Sequence, residues 1–252
     1  MKDQSVLAAI NLHGVLRNIE DLCEMDAEAA ELIKGQKLAI KFSVPGIEKM
    51  ILAFNDGHCK ATAGDGPSDL NLRFKNADHF NKMIDGKANP TPTKGFLKLG
   101  FLMKVFPKLA ERLTAYLKAE PKALEADKTF RDKSTILTAY TAFNAISMVG
   151  NYDPIGRACA KRIEDGSINI SIDNSVGVHL DIRNGQMRTS KGLAKDAKAM
   201  MRFSDIDVAD GILRGTLDSY ACIGNGKLGI SGRIPMVDNL NKILGIVATY
   251  LG

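Results

Sequence analysis

The chain has 252 residues, of which 45% are apolar, 25% charged and 6% aromatic, with no tryptophan; that balance excludes a disordered or membrane-embedded protein and leaves a globular one. Its net charge of +5 divides as 18 Lys and Arg against 16 Asp and Glu in residues 1–126, and 16 against 13 in residues 127–252. Neither half is the concentrated basic module with stacking aromatics that nucleic-acid binding requires, so no nucleic-acid partner is expected.

Val6, Leu7, Ile10, Leu16, Ile19 and Leu22 recur at helical spacing and predict an opening helix or helix pair. This N-terminal stretch has neither an uninterrupted apolar core nor a small-residue cleavage site, so no secretory signal is expected. Cys23, Cys59, Cys159 and Cys222 are far apart and unmatched between the halves, which fits buried small hydrophobes in a reducing, cytoplasmic setting. Asp26 caps a second helix that Gly35 ends. The period then changes to two at Leu38, Ile40 and Phe42, a strand with one buried face, and Asn55-Asp56-Gly57 marks a hairpin. A strand over 71–75 leads into a helix capped by Asn76, stopped by Gly86 and given an apolar face by Phe80, Met83 and Ile84.

Residues 94–118 are apolar and lysine-studded, with Lys94, Lys98, Lys104, Lys108, Arg112 and Lys118 among Phe96, Leu97, Leu99, Phe101, Leu102 and Phe106. Their expected form is a core strand followed by a helix with snorkelling lysines; transient contact of 94–118 with an anionic membrane surface is the competing reading. Residues 118–133, charged and holding Pro121, read as a short tether. The uncharged run Ser134–Tyr152 is long enough to span a bilayer, but its hydroxyls and two asparagines predict a buried helix of a globular domain.

The second half repeats the order. Asp153 and Pro154 open a helix, Ile168, Ile170 and Ile172 alternate, Arg183-Asn184-Gly185 turns, and 198–204 is a strand. Asp205 or Ser204 caps a helix bearing Val208, Ile212 and Leu213, which Gly215 stops. A strand over 227–231 and a helix from Met236 to Leu251 close the chain. A shift of 129 residues sets Arg73-Phe74 on Arg202-Phe203, Asp78 on Asp207, Gly86 on Gly215, Gly95 on Gly224 and Lys98-Leu99-Gly100 on Lys227-Leu228-Gly229. These matches predict two α+β units, residues 1–126 and 127–252.

Gly224, Gly226 and Gly229 satisfy the GxGxxG pattern, but a strand and not a helix follows them, so they read as turn and strand glycines. The four histidines lack metal-ligand spacing and no Ser or Cys sits in a nucleophile motif; no catalytic residue, metal or cofactor is expected.

The block running from Phe203-Ser204-Asp205-Ile206-Asp207 through Ile212-Leu213-Arg214-Gly215 to Gly226-Lys227-Leu228-Gly229-Ile230-Ser231-Gly232-Arg233 resembles the central block of the sterol carrier protein 2 family. The second half matches from Ile168 onward and the first from Leu38 to Gly100, with Met103 where Gly232 falls. The resemblance implies, in each half, a mainly antiparallel five-stranded sheet covered by helices. It also implies an apolar tunnel that binds a lipid, fatty acid, acyl-CoA or sterol-like molecule and performs no chemistry. It carries Ile206, Ile212 and Leu213 into the lining, with Phe80, Met83 and Ile84 in the first copy. Phe96, Leu97, Leu99, Phe101, Leu102 and Phe106 are added as its pocket or mouth because that segment is where the repeat fails. The alternative is an interaction, regulatory or enzyme-accessory module whose copies have lost the tunnel.

Overall fold

The computed structural model describes residues 2–252, which fall into two compact units, one ending at Glu120 and one beginning at Pro121. In the first, α1 (Gln4–Ile10) runs through a π turn (Asn11–Val15) and a 3-10 turn (Leu16–Asn18) into α2 (Ile19–Met25), followed by α3 (Ala27–Leu32). Strands β1 (Lys37–Ser43), β2 (Met50–Asn55), β3 (His58–Ala63) and β4 (Leu70–Arg73) precede α4 (Ala77–Ile84). Strand β5 (Thr91–Lys94) then leads through a 3-10 turn (Phe96–Lys98) to α5 (Leu99–Lys104) and α6 (Phe106–Leu117).

The second unit opens with α7 (Pro121–Ala126), the long α8 (Lys128–Tyr152) and α9 (Pro154–Ala160). Strands β6 (Gly166–Ile172), β7 (Val176–Arg183), β8 (Gln186–Lys191) and β9 (Ala199–Phe203) are followed by α10 (Ile206–Leu213), α11 (Ser219–Gly224), β10 (Leu228–Gly232) and α12 (Ile234–Leu251). The sheet orders are β3-β2-β1-β4-β5 and β8-β7-β6-β9-β10, the same topology twice. Every pairing is antiparallel except the central β1–β4 and β6–β9, which are parallel. Each half is therefore the five-stranded α+β unit that the resemblance implies.

Local chemistry accounts for the boundaries. Both hairpins turn on residues with positive φ, 45° at Asp56 and 52° at Asn184, each followed by glycine, the geometry that matches strand twist. Asn76 and Asp205 accept the His79 and Val208 amides at 2.8 Å, so Asp205 and not Ser204 is the cap. The alternating Leu38, Ile40 and Phe42, and Ile168, Ile170 and Ile172, are buried on the helix-covered faces.

Two expectations are corrected, on the tether and on the repeat, and the one for the uncharged run holds. Residues 118–133 form no tether: Pro121 opens α7, and Asp127 caps α8 by accepting the Phe130 amide at 3.0 Å. The Ser134–Tyr152 run lies inside α8, and no helix of the described residues is long and apolar enough to cross a membrane. The repeat also changes spacing after α4 and α10. Gly95 is the counterpart of Gly232, not of Gly224: a Cβ on either glycine would stand 2.2 Å from a carbonyl oxygen, that of Asp69 or Lys198, at φ 83° and 81°. Only a residue without a side chain lets these strand ends pass so close. Nine residues separate Gly86 from Gly95 but seventeen separate Gly215 from Gly232, and α11 occupies the difference. Lys98-Leu99-Gly100 is consequently helical, while Leu228 and Gly229 are strand. The lysine-studded segment is the counterpart of α12, not of β10.

Candidate functional site

In the first unit the sheet offers three aromatic rings to the helices above it. Phe54 of β2 meets Phe101 of α5 at 4.9 Å between ring centroids, and Phe42 of β1 meets Phe106 of α6 at 6.0 Å. Phe74, just after β4, meets Phe80 of α4 edge-on at 4.8 Å. Phe80, Phe101 and Phe106 are thus buried by ring contacts worth about 1 kcal/mol each beyond their area. Met83, Ile84, Leu99 and Leu102 are half-buried around this cluster. Phe96 and Leu97 lie outside it, 65% and 101% exposed in the 3-10 turn, and Met103 of α5 is 75% exposed. Of the nine first-unit residues expected to line a pocket, three are core, four form a half-buried margin and two are at the surface.

The helices are held over the sheet by a buried carboxylate. Asp26 caps α3 through the Ala29 amide at 2.8 Å, and its Oδ2 accepts the Tyr116 hydroxyl at 2.6 Å and an Arg112 guanidinium N–H at 2.7 Å. Burial pushes this carboxyl upward, but the hydrogen bonds from Arg112, Tyr116 and Ala29 outweigh it and hold its pKa down to about 2. The same burial, then Asp26 itself, pushes the Tyr116 hydroxyl up to about 12.

The second unit repeats the arrangement with different contacts. Asp153 caps α9 through the Ile155 and Gly156 amides at 2.9 Å, and Tyr250 of α12 donates to it at 3.0 Å. Ile206, Ile212 and Leu213 are half-buried on α10, whose Val208 is buried, and Phe143 of α8 meets Phe203 at 6.3 Å. The inserted α11 and the turn before it bring exposed apolar residues outside the expected lining: Leu217 at 40%, Tyr220 at 81% and Ile223 at 37%. Leu217 lies so near Gly211 of α10 that a Cβ there would meet its side chain at 2.5 Å. Their signal was available in the eight extra residues before Gly232.

Other buried polar groups tie elements together. His13, in the π turn, lies 2.8 Å by its Nε2 from the Glu48 carbonyl, and burial lowers its pKa. Glu20 accepts the Ala61 amide at 2.8 Å and Lys60 at 3.0 Å, joining α2 to β3. Burial raises the Cys23 thiol to about 12 and pushes Cys59 up as well, which disfavours thiolate chemistry at either. Among the described residues no three His, Cys, Asp or Glu are grouped to hold a metal ion. Gly224 ends α11 and Gly229 pairs with Arg202 within the sheet, so the GxGxxG run forms no phosphate loop. An open groove of about 500 Å³ lies at the β6–β7 turn, with Ser171, Gly177, Leu193, Met200 and the Arg202–Asp173 ion pair in its wall. None of the expected lining residues borders it.

No protein-family profile matches the chain, and no curated protein does. Solved structures of sterol carrier protein 2 domains are similar to it. The sterol carrier protein domain 2 of Helicoverpa armigera is 10% identical, covers 44% of this chain and 89% of its own, and has a TM-score of 0.37. The UbiJ-SCP2 ubiquinone synthesis protein is 17% identical over 44% of this chain and 96% of its own, with a TM-score of 0.35. The sterol carrier protein 2-like 2 of Aedes aegypti is 19% identical over 42% and 95%, with a TM-score of 0.32.

Proposed function

We propose that this chain binds and carries a hydrophobic small molecule, such as a fatty acid, acyl-CoA, lipid or sterol-like compound, without transforming it. One observation carries the reading. In the first unit Phe96 and Leu97 are solvent-exposed, Leu99 and Leu102 half-buried, and Phe101 and Phe106 buried above the sheet, a gradient of exposure that we read as an apolar path. An apolar ligand needs such a path and a few movable side chains, with little polar chemistry. The α4 residues Phe80, Met83 and Ile84, and Ile206, Ile212 and Leu213 in the second unit, are the other proposed lining positions.

Uptake of a fluorescent fatty acid by the full chain, followed by titration of Phe101→Trp and Leu102→Trp variants, tests this. Saturable binding that both enlargements weaken while the fold persists supports carriage; binding indifferent to both places the ligand elsewhere. A second reading, an interaction module without a ligand, is favoured by the three ring pairs that already cover the first sheet. It predicts no uptake by any variant.

A further inference from the structure

We infer that the first unit, and not the second, docks on an anionic membrane surface through the stripe formed by Phe96, Leu97, Lys98, Met103, Lys104 and Lys108. It deepens the carrier reading by naming where an apolar ligand is exchanged, but it is measured separately. The exposed positions run on from the 3-10 turn as Leu97, Gly100, Met103 and Lys104, Pro107 and Lys108, which is helical spacing along one side of α5 and the start of α6. Phe101, Phe106 and Leu109 point the other way, into the core. A fully exposed leucine beside a largely exposed phenylalanine and methionine is costly in water and suited to the headgroup–acyl boundary.

Charge selects the partner. Residues 86–110 contain five lysines and no acid; Lys87 is paired with Asp85 at 3.3 Å, so the positive charge of the segment rests on Lys94, Lys98, Lys104 and Lys108. That is the arrangement expected against anionic lipid, where each lysine near the surface contributes about 1 kcal/mol. The second unit lacks it at the equivalent place. Two residues after Gly232 stands Ile234, 55% exposed, where Leu97 stands after Gly95. Residues 216–246 hold three basic residues against two acids, and Lys242 is paired with Asp238 at 2.7 Å.

Co-sedimentation of the full chain with vesicles of mixed phosphatidylcholine and phosphatidylglycerol, against phosphatidylcholine alone, tests this. The expected result is salt-sensitive binding to the anionic vesicles only. Lys98→Gln, Lys104→Gln and Lys108→Gln together should weaken partitioning about a hundredfold, the three lysine contributions summed. Neutralising exposed Lys75, Lys122 and Lys195, which lie outside the stripe, should change it by no more than about twofold. Leu97→Ser should weaken it about tenfold, from the lost apolar burial, while Ile234→Ser leaves it unchanged. Equal binding to both vesicle types, equal loss with the control lysines, or equal loss with Ile234→Ser overturns the inference. So does a Leu97-dependent dimer in sedimentation with no vesicle binding. Fatty-acid uptake from vesicle-free solution by the Lys98, Lys104 and Lys108 variant reads the carrier function independently: retained uptake with lost docking is the expected pair.

Discussion

The hydroxyl of Tyr116 donates to Oδ2 of Asp26 across 90 residues of sequence, and Tyr250 makes the corresponding contact to Asp153 across 97. In each unit the last helix is thereby bonded to the cap of the helix preceding the first strand. A hydrogen bond to a buried carboxylate contributes about 1.5–3 kcal/mol. Tyr116→Phe should lower the stability of the first unit by about that amount, and Tyr250→Phe should act on the second. Denaturant unfolding of the two variants checks this. If neither moves a transition, the latch is ornamental.

Acid should act on the first unit in two stages. His13 has a folded-state pKa below its ordinary 6.5, so its contribution is present above that pH and is lost as pH falls through the lowered value. Asp26, held at about 2 against an ordinary 3.8, contributes above 3.8 and is lost as pH falls towards 2. Stability measured against pH should therefore decline first below about 6.5 and again below about 4. His13→Gln should flatten the first step and Asp26→Asn the second.

The corrected repeat makes a glycine prediction. Gly95→Ala and Gly232→Ala each drive a Cβ into a backbone carbonyl at positive φ, and each should cost about 3 kcal/mol or more. Gly224→Ala meets nothing within 4 Å and should be tolerated. Gly100→Ala, in α5 with open space around it, should stabilise by up to about 1 kcal/mol. Thermal unfolding of the four variants distinguishes the two alignments, because the earlier one makes Gly95 and Gly224 behave alike.

The part of the fold governed by local chemistry was legible in the sequence. Asp56-Gly57 and Asn184-Gly185 turned where the dipeptides say, Asn76 and Asp205 capped, and Leu38, Ile40 and Phe42 faced the core. What misled was a coincidence: a single offset carried Gly95 onto Gly224 and Lys98-Leu99-Gly100 onto Lys227-Leu228-Gly229. The same Leu-Gly pair is helix in one place, at Leu99-Gly100, and strand in the other, at Leu228-Gly229, because the surroundings decide. The margin of the site was hidden for a related reason. The sequence marks Phe101 and Phe106 as apolar, but it says nothing of the break at Val105 between their two helices, nor of a 3-10 turn that leaves Phe96 and Leu97 in solvent. The role of Tyr116 had no local signature, since its partner is 90 residues away.

Phe80→Ala should open the first unit without touching the surface path. Its ring is fully buried against Phe74, so the truncation should cost about 3–5 kcal/mol. Urea unfolding measures the loss, and fatty-acid titration of the folded fraction should show affinity kept or raised by the extra space.

Carriage of an apolar molecule is tested most directly by native mass spectrometry of the intact chain, purified without detergent and then incubated with a long-chain fatty acid. The account predicts a discrete adduct of one or two ligands per chain, diminished by Phe101→Trp. A single unliganded mass at every fatty-acid concentration, with the protein folded, would contradict it.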